Sequence, residues 1–142
     1  MALTSPTDAQ NPESQPSAPN PPDDPSDDLF PHLTDFRKRF TSNFVFAYNN
    51  INSYRNKHSS VCDLLCNNIV DFIAIAETKL DQSFPNSQFK VDNYELYRSD
   101  FTSKSGGLLI HIRDDLAHRR LNSIEINSEG FESICIEVTI GS

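Results

Sequence analysis

Along the chain, apolar positions change period several times, and those changes mark the elements. "NFVFAYNN" (43–50) is a short aromatic and β-branched run, the composition of a strand. In "SYRNKHSSVCDLLCNNIV" the residues Tyr54, Val61, Leu64, Leu65 and Ile69 recur near helical spacing, which predicts a helix over about 54–68. "DFIAIA" (71–76) is too apolar to alternate and reads as a strand covered on both faces. Strand, helix and strand in such a short span predict a βαβ unit with parallel strands and a right-handed crossover. Pro85 interrupts "DQSFPNSQFKVDN", an irregular connection. "YELYRSD" (94–100) and "LLIHIRDDL" (108–116) then alternate as strands. In the second, Leu108, Ile110 and Ile112 face one way and Leu109, His111 and Arg113 the other. "RRLNSIEIN" (119–127) and "FESICIEVTI" (131–140) complete the series, and their short connections predict an antiparallel meander. The fold class is therefore α/β with a mixed sheet.

Composition divides the chain in two. Eight of the nine prolines fall within residues 1–31, and no Lys or Arg precedes Arg37. Residues 1–36 hold Asp8, Glu13, Asp23, Asp24, Asp27, Asp28 and Asp35, so nearly all of the formal charge of -8 resides there and the remainder is close to neutral. Such a segment buries too little apolar surface to offset its ordering entropy. The expected organisation is a disordered acidic leader over 1–42 and one folded unit over 43–142. The leader is either a solvated linker or an acidic docking segment. It has neither a basic n-region nor an apolar h-region, so it is not a secretory signal. No apolar run approaches the roughly 20 residues of a bilayer-spanning helix. The expected location is intracellular, nuclear or cytoplasmic, with no membrane partner. Cys62, Cys66 and Cys135 contain no CxxC and read as reduced structural thiols, with Cys62 and Cys66 half-buried on one helix face.

The apolar run of 72–76 ends on the carboxylate of Glu77. In a βαβ unit its strand finishes on the same side of the sheet as "YNNIN" (48–52), so Glu77, Asn50 and Asn52 open into one crevice, where α/β folds bind ligands. One carboxylate beside amides suits Mg²⁺, which takes oxygen ligands and keeps waters for a phosphate to displace. The alternative from pattern alone is that Asn50 and Asn52 are turn residues and Glu77 is a solvated strand terminus. Arg98, Lys104, Arg113, Arg119 and Arg120 are either DNA-backbone contacts or an ordinary solvated surface. Gly106-Gly107 reads as a hairpin turn, since no helix follows it as a phosphate-binding loop requires.

"NNINSYRNK", "DFIAIAETKLDQSFPNSQF", "YELYRSD" and "SGGLLIHIRDDL", in that order, resemble the endonuclease/exonuclease/phosphatase superfamily. The closest likeness is to the endonuclease domain of non-LTR (LINE-type) retrotransposons, over about residues 43–140. The resemblance implies the N-terminal half of a four-layer α/β/β/α sandwich. It implies a Mg²⁺-dependent DNA endonuclease, with Mn²⁺ as a possible substitute, whose principal metal ligand is Glu77. Asn52 would support the metal, and Asn50 would help position the scissile phosphate. The family's catalytic Tyr, Asp-x-Asn pair and C-terminal Asp-His pair lie beyond the strand matching 131–140, and the sequence stops at Ser142 before them. Neither His111 nor His118 matches the family histidine. His111 is expected to face outward or toward a helix, and His118 to sit in a turn. The resulting expectation is a fragment inactive by itself, with DNA as partner if active. A non-catalytic binding module or decayed remnant is the alternative, and a phosphatase or nuclease of other specificity is a third. With the second sheet incomplete, the inward side chains of 108–112 and 134–138 are expected to be exposed, favouring a partner or self-association.

Overall fold

The structure is a computed structural model and describes residues 29–141. Four strands form one mixed sheet in the order β1-β2-β4-β3: β1 (Phe46–Asn50), β2 (Phe72–Ala76), β3 (Tyr94–Ser99) and β4 (Leu108–Arg113). β1 and β2 are parallel, with Phe46 opposite Phe72 and Asn50 opposite Ala76. β4 runs antiparallel to both β2 and β3. The βαβ start and the α/β class are as the periodicity predicts.

Helix α2 connects the parallel strands over His58–Cys66, shorter than the predicted 54–68. Residues 54–57 form a turn that drops the Tyr54 ring into the core instead of beginning the helix. The helix stops at Asn67 and Asn68, the latter left-handed at φ 52°, with the Ile69 amide donating to Leu64 O. A left-handed residue just past the last turn is the ordinary way to satisfy the final carbonyls.

Each sheet face has its own core. Ile73, Ile75, Leu109 and Tyr94 pack on one face with Tyr54, Val61, Leu65, Ile69, Leu80 and Phe89. The other face carries Phe72, Ile110 and Ile112, against which Ile134, Ile136 and Val138 are packed. Ile136 and Val138 belong to a separate two-stranded sheet, β5 (Ala117–Arg120) with β6 (Ile136–Thr139), and Ile134 lies just before it. Helix, sheet and second sheet thus stack in layers.

Several expectations change here. The meander breaks after β4, because the chain crosses to the second sheet instead of pairing β5 with β4. Residues 122–124 form a 3₁₀ turn where the strand of 119–127 was predicted, and His118 lies within β5, its Nδ1 3.1 Å from Tyr97 Oη, not in a turn. The expected exposure of the inward side chains of 108–112 and 134–138 does not occur: Ile110 and Ile112 are buried, and Ile134, Ile136 and Val138, which pack against them, are themselves partly buried. Exposure moves to the β1 edge, where Phe46 is 57% and Tyr48 63% accessible.

The leader also begins to fold earlier than predicted. Leu29–Arg39 forms helix α1, so the boundary at 42 fails from Leu29 onward; the expectation for residues 1–28 lies outside the described residues. Pro31 sits in the first turn, where a missing N–H costs nothing, and Arg37, Lys38 and Arg39 close the last turn, where cations complement the helix dipole. Leu33 packs on the helix-side core, and Arg37 reaches across to Asp71 through two hydrogen bonds of 2.9 Å. Among the described residues no helix is long and apolar enough to cross a membrane.

Candidate functional site

The parallel pair continues past its strand ends, and this is what builds the site. Ile51 donates to Ala76 O, Ser53 to Glu77 O and Tyr54 to Thr78 O, so 51–54 run beside 76–78 as irregular backbone. The path requires left-handed conformations at Asn52, Ser53, Glu77 and Lys79, with φ of 47°, 93°, 56° and 52°. Each costs about 1–3 kcal/mol and persists only where surrounding contacts over-determine it. Those contacts are present: Lys57 Nζ donates to Ile51 O at 2.6 Å, and Lys79 Nζ hydrogen-bonds Asn52 Oδ1.

Glu77 turns away from β1 toward the β3–β4 hairpin. Its Oε2 accepts the Gly106 amide at 3.1 Å, while the Thr78 and Lys79 amides donate to Gly107 O and Gly106 O. The glycine pair lies in the hairpin connection, as predicted, and is in addition a backbone clamp on the loop that carries Glu77. Its second glycine is sterically required. A Cβ on Gly107 would lie 2.3 Å from Thr78 Oγ1, at a φ of +89°. Gly107→Ala is expected to destabilise the protein by about 2–4 kcal/mol, read as a lower denaturant midpoint at constant m-value.

A pocket of about 340 Å³ opens here, lined by Ala76, Glu77, Phe101, Ser105, Gly106, Gly107, Leu108, Gly130 and Glu132. Asn50, Ala76 and Leu108 occupy one row across the sheet, so Asn50 stands on the face that the pocket lines. The three residues singled out from sequence therefore gather at one end of the parallel pair. They differ in engagement: Glu77 is tied to Gly106, Asn52 to Lys79, and Asn50 is exposed. Sequence reasoning missed Glu132, whose Oε2 accepts the Gly107 amide at 2.8 Å. Its only signal was a carboxylate placed before an alternating apolar run.

For a magnesium ion the residues fit in one respect. Glu77 brings a carboxylate to the pocket beside that of Glu132, and Mg²⁺ accepts one or two such ligands while retaining waters. The Asn52 oxygen accepts from the Lys79 ammonium, so it is engaged with a lysine and does not line the pocket. Among the described residues no group of three or more His, Cys, Asp and Glu side chains is arranged around a metal.

A larger hollow of about 500 Å³ runs along β3 past Arg98 and Arg120. Both guanidiniums are committed, Arg98 to Asp100 and Arg120 to Glu125, and Arg113 and Arg119 likewise pair with acids. Of the five basic residues considered as DNA contacts, four are thus in ion pairs. No histidine can be assigned to the pocket from these contacts. His111 is fully buried beside Ile73 on the helix side of the sheet, its Nε2 2.8 Å from Tyr54 Oη. His58 Nδ1 lies 3.1 Å from that same oxygen, with Cys62 Sγ close to the ring. Burial, then Cys66 and Asp63, push the Cys62 thiol up, which suits an unreactive structural cysteine; Cys66 is exposed instead of half-buried.

No protein-family model matches the chain, and no curated protein does. Among solved structures, the chain is similar to a 3′ phosphatase from Neisseria bound to a product DNA hairpin, with 24% identity, a TM-score of 0.44, and coverage of 55% of this chain and 32% of that one. It is also similar to an AP endonuclease from Archaeoglobus fulgidus, again with 24% identity and a TM-score of 0.44, covering 53% of this chain and 30% of that one. The chain therefore spans about a third of the length of the structures it matches.

Proposed function

We propose that these residues form the Glu77-bearing part of a Mg²⁺-dependent phosphodiesterase centre, of the kind found in retrotransposon DNA endonucleases, and that they are catalytically silent by themselves. The observation that carries this reading is the juxtaposition of 51–54 with 76–78, which runs the backbone of Asn52 beside that of Glu77, with Asn50 one row away. In this reading Glu77 would hold the cation, Asn52 would support it once released from Lys79, and Asn50 would orient the phosphate. When bound, a divalent cation supplies polarisation of the phosphoester and stabilisation of charge on the leaving oxygen. The Gly106 amide fixes one Glu77 oxygen and leaves the other for the ligand.

The silent reading is supported by where the histidines stand: among the described residues none of them lines the pocket. Proton abstraction needs an acceptor within hydrogen-bond reach of the nucleophile, yet His58, His111 and His118 are engaged with Tyr54, Cys62 and Tyr97. DNA is the substrate class, and the exposed Phe46–Tyr48 edge is where a partner or second copy would sit.

A plasmid-nicking assay with Mg²⁺ or Mn²⁺ tests this. The expected result is no nicking by the protein or by Glu77→Ala, together with Mn²⁺ binding by the protein that Glu77→Gln abolishes. Nicking that disappears in Glu77→Ala would overturn the silent reading and keep the centre. Mn²⁺ affinity unchanged in Glu77→Gln would remove the centre itself.

A further inference from the structure

Every backbone polar group of the Gly106–Gly107 pair is used, and the partners come from two distant parts of the chain. The two carbonyls accept from Lys79 and Thr78, and the two amides donate to Glu77 Oε2 and Glu132 Oε2. One rigid dipeptide therefore joins Glu132, on the loop entering β6, to the turn that presents Glu77. The second Glu132 oxygen is buried without a hydrogen-bond partner. It is wedged against Gly106, where a Cβ would come within 2.8 Å of it. A carboxylate so seated cannot swing into water without releasing the Gly107 amide.

We propose that Glu132 is a positioning residue, which sets the Glu77 carboxylate by locking the glycine pair through the amide next to the one Glu77 accepts. The proposal deepens the reading of Glu77 as a cation ligand and rests on it for its consequence, though not for the clamp. Two carboxylates facing one pocket repel each other, and the paired glycine amides hold each in a separate seat. Without Glu132 the Gly107 amide loses its acceptor, the hairpin connection loosens, and the Gly106 amide no longer fixes the Glu77 rotamer. Residues that orient a metal ligand in this way typically change affinity about 10–100-fold when removed.

The test combines amide hydrogen exchange at Gly106 and Gly107, followed by NMR on the full chain, with Mn²⁺ titration followed by electron paramagnetic resonance. In Glu132→Ala, protection is expected to fall at both glycines and Mn²⁺ affinity to drop about tenfold. Glu132→Gln keeps a carbonyl oxygen for the Gly107 amide and is expected to restore both. If the alanine variant does not fold, Glu132→Asp gives the same reading, since it keeps the charge and shortens the reach. Unchanged protection at Gly106 in Glu132→Ala or Glu132→Asp overturns the proposal. So does a glutamine variant as weak for Mn²⁺ as the alanine, because charge and not position would then be what matters. If the unsubstituted protein takes up no Mn²⁺, the cation reading falls, and Gly106 exchange alone decides the clamp.

Discussion

Asp71→Ala is expected to destabilise the protein by about 3 kcal/mol and to release α1 from the sheet. Asp71 is 4% exposed at the start of β2 and collects four donors. Arg37 approaches with both terminal nitrogens at 2.9 Å, Arg113 Nη1 lies at 3.0 Å, and the Val45 amide lies at 2.7 Å. Removing the carboxylate leaves the partly buried Arg37 guanidinium without its counter-charge, Arg113 with Asp115 alone, and one amide without an acceptor. Breaking such a pair from one side costs more than the pair contributes, because the remaining charge stays desolvated. The lower end of the usual range applies, since the Arg37 and Arg113 side chains keep 15% and 30% of their accessibility. Asp71→Asn retains the shape and one acceptor and is expected to be milder. Chemical denaturation measures the loss, and hydrogen exchange over 29–39 shows whether α1 detaches. Unaltered protection of α1 in Asp71→Ala would show that Leu33 packing alone holds the helix.

The second large effect is acid lability centred on His111. Burial first, and His58 second, push its pKa down to about 3 from 6.5. The folded protein therefore holds His111 neutral, while the unfolded chain protonates it near 6.5. Between about pH 6.5 and 3 the unfolded state binds the extra proton, so stability rises with pH across that window and is lost as pH falls through it. The steepest contribution is about 1.4 kcal/mol per pH unit. His111→Gln, which keeps a polar group near Tyr54, is expected to be less stable at pH 7. It should also show a shallower decline between pH 6 and 4 by one proton's worth of slope. Urea titrations at stepped pH read this directly, and equal slopes in the two proteins would place the acid sensitivity elsewhere.

These two residues illustrate how far the sequence could be read. His111 alternates correctly with Leu109 and Arg113, so its face was predictable, toward a helix or outward. Its complete burial depended on Tyr54, 57 positions away, filling the space above it. Asp71 stood at the head of an apolar strand and gave no sign of its importance. Its partners lie 34 and 42 positions off, and one belongs to a leader whose composition argued for disorder. Composition averages over a segment, whereas α1 meets the folded unit through individual side chains, Arg37 on Asp71 and Leu33 on the core. The same limit explains β5 and His118: "RRLNSIEIN" contains strand-forming residues, but pairing with β6 selects Ala117–Arg120 and leaves 122–124 as a 3₁₀ turn.

Sequence alone determined the parallel βαβ start, the antiparallel β3–β4 hairpin and the gathering of Asn50, Asn52 and Glu77 at one sheet end, because period and strand polarity are local properties. Tertiary structure decided that α1 docks on Asp71, that the chain leaves the first sheet after β4, and that Glu132 shares the glycine pair with Glu77. Each of those outcomes is a contact between segments far apart along the chain. Such a contact forms where packed faces bring donors to buried acceptors, and no local pattern of apolar and polar positions encodes that meeting.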